Sequence, residues 1–463
     1  MIRKVAAFFL LSISTVAHAQ ELTPAAVAAS ARENYPAVLA ARAEQDAAIG
    51  RRLSAQGAFD TQVESGLRTR LEGFYSGDIL ETKVTKPLAP FGAEVFGSYR
   101  LAQGDFPIYE DLAFTNQGGE AKVGVIFNIL RGRSIDGRRA SLRRGELAVA
   151  EASIDVVLTQ IEVQQGALSA YWNWVTEGRV LQIYEELLEI AENRASALQR
   201  QVDSGARAAI DVTENAQNVT RRRELVRGAE RDLALAAVAL SLYLRDEDGQ
   251  PVTPTRDDLP QRSDLPTRGR AEIDLSARPD LQLFDIARQR IEVERDLAEN
   301  DLQPELRFAL EGSNDFGAIG PGGVSRDPAE VIAGVTFSVP FGRREAKGRL
   351  RSSNAELRAL EEERRLARDL VRQELTNLDI SVRAAEDIVQ LTRTEAGQAQ
   401  TLLEAEVSRF ENGASDFFLI NLREQTAASA RIRQAEAEET YARRTIAWQA
   451  ATLDLERLRR GGR

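Results

Sequence analysis

Two stretches alternate strictly between apolar and polar residues and then switch to a helical period. Val123, Val125, Phe127 and Ile129 share one side of the first; Ala333, Val335, Phe337 and Val339 share one side of the second. Period-two alternation is the mark of a strand with one apolar and one wet face. Each stretch runs into a glycine, Gly132 or Gly342, and then into a long helical pattern. The two align without a gap at an offset of 210, from Val123 and Ala333 through to Leu147 and Leu357. Strand, glycine corner and helix recurring at one offset predict two structural repeats.

Two earlier strands are predicted by the same logic. In the first, Val63, Leu67 and Leu71 oppose Gln62, Glu64, Arg68, Arg70 and Glu72; in the second, Leu306, Phe308 and Leu310 oppose Glu305, Arg307 and Glu311. A helix leads into each, from about Pro36 to Gln56 and from about Pro279 to Asp301, at an offset near 243. The first repeat therefore holds about 33 more residues, between about Tyr75 and Glu120. Glu94 to Leu101 alternates within them, so a long loop or an extra hairpin is expected. The periodicity fits both a sheet on a soluble core and a membrane barrel wall and does not choose between them.

The helices are long. No proline occurs between Pro107 and Pro251 or after Pro340. About 70 helical residues would span roughly 100 Å. Val371, Leu375, Leu378, Val382, Ala385 and Val389 recur in steps of four and three, which is coiled-coil spacing. Glycines after polar residues, Gly205 and Gly413, signal helix ends, and Ser415 or Asp416 can cap the next helix. Alanine-rich return helices follow.

The predicted organisation is then: signal peptide 1–19; first repeat 20–245 with a helix, strands within 60–130, long helix 133–202 and return helix 210–245; connector 246–271, rich in proline and charge; second repeat 272–458 with a helix, strands within 304–340, long helix 343–409 and return helix 415–458; and a basic tail 459–463, expected to fray. Met1-Ile2-Arg3-Lys4, an apolar run and Ala17-His18-Ala19 make the secretory signal, with cleavage expected after Ala19.

Composition narrows the chemistry. The chain has no cysteine, and its single histidine and single methionine, His18 and Met1, lie in the signal region. The mature chain thus lacks Ser-His-Asp and Cys-His catalysis, zinc sites with His or Cys ligands, and ordinary haem ligation. No catalytic residue, cofactor site or metal site is expected. The 71 acidic residues fall mostly in helical charge patterns, read as solvated faces. A net charge of −11 argues against a nucleic-acid partner. Four to six strands cannot close a wide barrel alone, and the thin alanine-rich helices cannot bury a large core alone. Both features require side-by-side assembly.

The order of these motifs resembles the TolC-like outer-membrane efflux proteins, over about Leu22 to Leu455. The resemblance rests on the duplication, on Asn34-Tyr35-Pro36 and Arg278-Pro279-Asp280, on the corners at Gly132 and Gly342, and on the turn segment Gly205 to Ala216, with Asp211-Val212 and Glu214-Asn215-Ala216. It implies a mainly α fold with β: long coiled-coil hairpins forming an α-barrel, and transmembrane strands that complete a shared β-barrel in a homotrimer. Four strands per chain, twelve in all, are implied, with an equatorial collar. The implied function is the exit duct of a tripartite efflux or type I secretion system, in the outer membrane and extending into the periplasm. The implied partners are outer-membrane lipid, a periplasmic adaptor (membrane fusion) protein and an inner-membrane pump or ABC-type transporter. The alternative is a periplasmic coiled-coil adaptor or scaffold without a channel.

In that family the far helical turns form a gate. The corresponding residues here are Asp203, Gly205, Arg207, Asp211 and Glu214 in one turn, and Arg409, Glu411, Gly413, Asp416, Phe417 and Phe418 in the other. The carboxylates would form a cation-favouring ring, or simply cap helices and face solvent. Phe417-Phe418-Leu419-Ile420-Asn421 stands where the family often has an aspartate-rich segment, so a hydrophobic constriction or an adaptor contact fits there too.

Overall fold

The computed structural model describes residues 21–106, 114–206, 208–246, 248–262, 264–269, 275–320, 328–412 and 414–462. The expected signal peptide lies outside them. Eight helices and six strands occur among these residues. In chain order they are α1 (Pro24–Asn34), α2 (Pro36–Gln56), β1 (Gln62–Thr69), β2 (Gly77–Pro87), β3 (Glu94–Gly104), β4 (Glu120–Asn128), α3 (Gly137–Asp203), α4 (Ala209–Ser241), α5 (Pro279–Asp301), β5 (Glu305–Asp315), β6 (Glu330–Ser338), α6 (Arg344–Glu411), α7 (Phe417–Ala451) and α8 (Leu455–Arg459). The chain divides into two compact units, one of residues 41–157 and 275–369 and one of residues 1–40, 158–274 and 370–463.

The first of these units holds the sheet. Its six strands lie in the order β1-β2-β3-β4-β5-β6, each antiparallel to its neighbours. This corrects the four strands per chain implied by the resemblance and falls at the upper end of the four to six read from the residues. The extra residues of the first repeat are not a loop; they form the β2–β3 hairpin, inserted between β1 and β4. In the same unit α3 packs on α5 through Ala140 and Leu147 of the one and Ile286 and Val293 of the other, an i, i+7 pair on each.

Both glycine corners need the left-handed backbone. Gly132 has φ +86° and Gly342 φ +93°. The Gly132 N–H donates to Asn300 Oδ1 at 2.7 Å, and Arg131 pairs with Glu305, so the first corner is tied to the α5–β5 junction. The following helix begins later than its sequence pattern, at Gly137 rather than 133, because Asp136 caps it by accepting from the Arg139 N–H at 3.0 Å. A Cβ at Gly132 would lie 2.7 Å from Asn128 Nδ2, whereas one at Gly342 meets nothing within 4 Å. We expect Gly342→Ala to cost about 1–2 kcal/mol from backbone strain alone, and Gly132→Ala to cost more. Equal losses in denaturant midpoint would contradict this.

The second unit is helical. The stripe Val371, Leu375, Val382, Ala385 and Val389 is buried, with Leu378 half-buried. Alanines set the close approach of α6 to α7: Ala396 and Ala399 meet Ala427 and Ala430. The largest buried side chains, Tyr171, Trp172 and Trp174, belong to α3, and the Tyr171 hydroxyl donates to the Leu22 carbonyl at 3.0 Å. The connector folds against this unit, since Arg256 makes a two-point ion pair with Glu185 of α3 at 2.7 and 2.5 Å, and Arg268 pairs with Asp379 of α6.

Two expectations change near the end of the chain. The second return helix stops at Ala451, where Leu453 takes φ +59°, and a short α8 follows. The tail is docked rather than frayed. The Gly462 carbonyl accepts from the Thr267 N–H at 2.9 Å and from Gln449 Nε2 at 2.9 Å. Glycine permits this, because a Cβ at Gly461 or Gly462 would come within 2.6 Å of Pro24 or Pro266.

Candidate functional site

The sheet has two chemically distinct faces. Residues directly opposed across antiparallel strands point to the same side. The register therefore gathers Val63–Val84, Leu67–Leu80, Leu80–Leu101, Val95–Val125, Phe127–Phe308, Leu310–Ala333 and Phe308–Val335 on one face. That face is open: Val63, Leu67, Val123, Val331, Val335 and Phe337 are each more than 60% exposed. Its few polar side chains near the middle satisfy one another, as Ser65 and Thr82 do at 2.9 Å. Phenylalanines stand toward both ends of the strands. Phe127, Phe308 and Phe337 lie near the helix-proximal ends, and Phe74, Phe106 and Phe316 just beyond the other ends.

The opposite face is charged. It carries Glu64, Arg68, Glu81, Lys83, Glu94, Arg100, Glu120, Lys122, Arg307 and Glu311 by the same register. Cross-strand pairs knit it: Arg100 to Glu120 at 2.6 Å and Lys122 to Glu311 at 3.7 Å. An exposed apolar face of this extent marks a surface that meets a membrane or another protein. Strands of 8 to 11 residues match the length that crosses a bilayer when tilted. No helix among the described residues is long and apolar enough to cross a membrane.

The helical unit carries the turn residues singled out in the sequence. Asp203 ends α3 and accepts from Gln199 Nε2 at 2.8 Å. Gly205 has φ +74° and closes the helix as a left-handed cap, with the Ala206 N–H donating to the Gln201 carbonyl at 2.8 Å. Asp211 lies in the first turn of α4, and Glu214 is exposed one turn on. Arg207 and Gly413 lie outside the described residues.

In the other turn Glu411 ends α6 and is exposed. Arg409 reaches Glu406 at 3.5 Å and the Ala414 carbonyl at 3.2 Å. Asp416 caps α7 by accepting from the Leu419 N–H at 2.7 Å. Phe417 is buried, with the Arg194 guanidinium 5.7 Å from its ring centre, while Phe418 is exposed. We expect Asp416→Ala to cost about 0.5–2 kcal/mol and Asp416→Asn much less, since asparagine caps equally well; equal effects on thermal stability would place the role of Asp416 in its charge.

A buried ionic centre lies among α3, α4 and α7, and the sequence did not single it out. Glu424 is only 2% exposed. It pairs with Arg194, and with Arg222 at 2.7 Å. Arg222 also donates to the Leu187 carbonyl at 2.6 Å, and Arg194 to Asn421 Oδ1 at 3.1 Å. Burial pulls the Arg222 guanidinium below its usual range, against the opposing pull of Glu424. Nearby in sequence, Asn215 donates to the Ala191 carbonyl at 3.1 Å.

Glu438 of α7 forms a second such knot with Arg179 of α3 at 2.7 Å and Arg393 of α6 at 2.9 Å. Burial would raise its carboxyl, but Gln434 and the two arginines outweigh that and hold it below its ordinary value of 4.5. A depressed acid stabilises the fold above its unfolded pKa and loses that contribution as pH falls through its folded one. The stability difference between wild type and Glu438→Gln should therefore shrink in acid below about pH 4.5. A pH-independent difference in unfolding midpoint would refute that assignment.

No family model and no curated protein sequence matches the chain. Solved structures do. The Campylobacter jejuni CmeC outer membrane channel superposes with TM-score 0.62 at 13% identity, over 100% of this chain and 94% of that one. The open-state MtrE outer membrane channel of Neisseria gonorrhoeae gives 0.61 at 14%, over 97% and 95%. The chain has the fold of the TolC-like outer-membrane channels. The VceC outer membrane protein of Vibrio cholerae agrees, with TM-score 0.59 at 13% identity over 93% and 95% of the two chains. This TolC-like fold is mainly α with β, and likenesses of this kind run the length of both partners rather than matching one module.

Proposed function

We propose that the protein is an outer-membrane exit duct: three copies enclose one passage, and substrates cross it passively. The observation that carries this reading is the sheet. Six strands present a continuous apolar face on one side, a charged face on the other, and two open edges at β1 and β6. In a bilayer every backbone polar group must be paired, so such edges have to be closed by further strands. Neighbouring copies supply them. The periplasmic scaffold alternative gives no role to such a sheet.

The helices support self-association as well. Ile380, Ile388, Leu391 and Leu402 of α6 are exposed, as are Leu235, Val238 and Leu242 in and just after α4. Exposed apolar stripes on coiled-coil helices suit packing against a second copy. In this reading the helical hairpins line a periplasmic passage, and the turns at 203–211 and 411–418 narrow it. Asp203, Glu214, Glu411 and Asp416 are exposed at or next to these turns, with Asp211 half-buried beside them; Asp203 and Asp416 are also engaged locally. A periplasmic adaptor and an inner-membrane pump or ABC-type transporter would supply cargo and energy, as the chain holds no nucleotide-binding loop.

Fractionation of cells producing the protein tests the reading. The expected result is recovery with outer membranes and migration as a trimer in unheated detergent gels, collapsing to a monomer on boiling. A monomer in the soluble periplasmic fraction would overturn it.

A further inference from the structure

The β2–β3 hairpin is the feature that the TolC-like expectation does not absorb. A protein with four strands per chain would close twelve in a trimer. This chain has six in one sheet. The hairpin could decorate the barrel, plug it, or belong to its wall, and three observations decide among these.

First, the hairpin is hydrogen-bonded inside the sheet rather than laid over it. β2 pairs with β1 over the whole of β1, from Gln62–Thr85 to Thr69–Asp78. β3 pairs with β4 from Glu94–Ile126 to Arg100–Glu120. β1 and β4 are not neighbours, and at about 4.8 Å per step they stand roughly 14 Å apart. Folding the hairpin into the lumen would break two ladders and leave the sheet split.

Second, the hairpin obeys the polarity of the rest of the wall. Leu80, Val84, Val95, Tyr99 and Leu101 fall on the apolar face with Val123 and Val335. Glu81, Lys83, Ser98 and Arg100 fall on the charged face, where Lys83 lies 5.0 Å from the centre of the Phe96 ring. A plug or an extracellular ornament has no reason to keep this register. Third, β2 and β3 have 11 residues each, enough to cross a bilayer at the usual tilt.

We propose that the hairpin contributes two wall strands per copy, so that three copies close an eighteen-stranded barrel. The proposal rests on the channel reading above. An insertion of two strands preserves the alternation of strand direction. β6 therefore still meets β1 of the next copy antiparallel, and the seam closes as it would without the hairpin. Barrel diameter grows about linearly with strand number, so the mouth is about half as wide again as a twelve-stranded one. Its outer exit has the width of a large porin, and its lumen carries the mixed charge of Glu81, Lys83 and Arg100. A wall this wide suits cargo bulkier than a small solute.

The test uses full-length protein in phosphatidylethanolamine–phosphatidylglycerol vesicles. The sequence has no cysteine, so each substitution gives one thiol per copy. A nitroxide is attached at L80C, V84C and L101C on the apolar face of the hairpin, at K83C and S98C on its charged face, and at V335C and T336C on β6 as references. Collision with oxygen reports lipid, and collision with a water-soluble nickel chelate reports water. The expected result is alternation in the hairpin matching the references: Leu80, Val84 and Leu101 like Val335, Lys83 and Ser98 like Thr336. Nickel access at every hairpin position, with alternation kept at Val335 and Thr336, would overturn the hairpin proposal and leave the channel standing. Loss of lipid contact at Val335 would sink both. Electron cryomicroscopy of the unmodified trimer gives the strand count directly: eighteen supports the proposal, and twelve overturns it.

Discussion

Glu424→Gln should be among the most damaging single substitutions in the helical unit, at about 3–5 kcal/mol. The change is nearly isosteric, so packing is kept. What it removes is the negative charge that lets Arg194 and Arg222 remain buried. Neither guanidinium can escape by losing its proton, because arginine stays charged in proteins. Two uncompensated cations would then face each other between α3, α4 and α7. Opening of these helices should become roughly 10²- to 4 × 10³-fold more frequent. Amide exchange at α4 and around Asn421 in α7 reads this directly. Glu424→Leu together with Arg194→Met and Arg222→Leu should recover much of the loss, since an apolar replacement of a whole buried ion cluster is often neutral. If the triple variant is as damaged as the single one, the cost is steric and the electrostatic account fails. In the channel reading the same loosening next to the turns would also raise the resting leak.

Val335→Arg is the second. On a lipid-facing strand an arginine at mid-membrane costs about 2–4 kcal/mol. A trimer carries the substitution three times, so the assembled barrel would lose roughly 6–12 kcal/mol, assuming independent sites. Val335 is largely exposed and sits opposite Phe308, in the body of the apolar face. Thr336→Arg, one residue on, points to the charged face and should be tolerated. The pair separates a lipid-facing strand from one packed on a soluble core. Heat-labile trimer in the outer membrane is the readout: lost for Val335→Arg, kept for Thr336→Arg. Equal tolerance of both would mean that the apolar face does not meet lipid.

Much of this fold was written in periodicity. The alternation at Val123 to Ile129 and at Ala333 to Val339 became β4 and β6 with the apolar residues on one face. The four-three stripe at Val371 to Val389 became the buried seam of α6. These signals are local, since each residue's role is set by neighbours two to four positions away. The strand number was less legible. Glu94 to Leu101 alternates visibly, but β2, with Thr82, Lys83, Thr85 and Lys86, is too polar to stand out as a wall strand. Its place is fixed by pairing with β1 and β3, which is a tertiary fact.

The buried ion pairs were the least legible. In a chain with so many charged helical positions, Glu424, Arg194 and Arg222 read as part of a solvated face. A signal existed nonetheless. Glu424 falls in step with Phe417, Ile420 and Ala427, and Arg222 with Val219, Val226 and Ala229. A charge placed within an apolar stripe is a buried charge, and a buried acid on one helix requires bases on its neighbours. The turn residues divide similarly. Asp416 carries an N-cap pattern that the local sequence shows, whereas the burial of Phe417 beneath Arg194 and the exposure of Phe418 depend on how α7 is rotated against α3.

The most direct test of the central claim is single-channel recording in a planar bilayer, with full-length protein extracted from membranes in detergent. The account predicts discrete conductance steps from a heat-labile trimer, abolished when the trimer is dissociated before addition. A monodisperse, water-soluble monomer that inserts nothing and conducts nothing would contradict it.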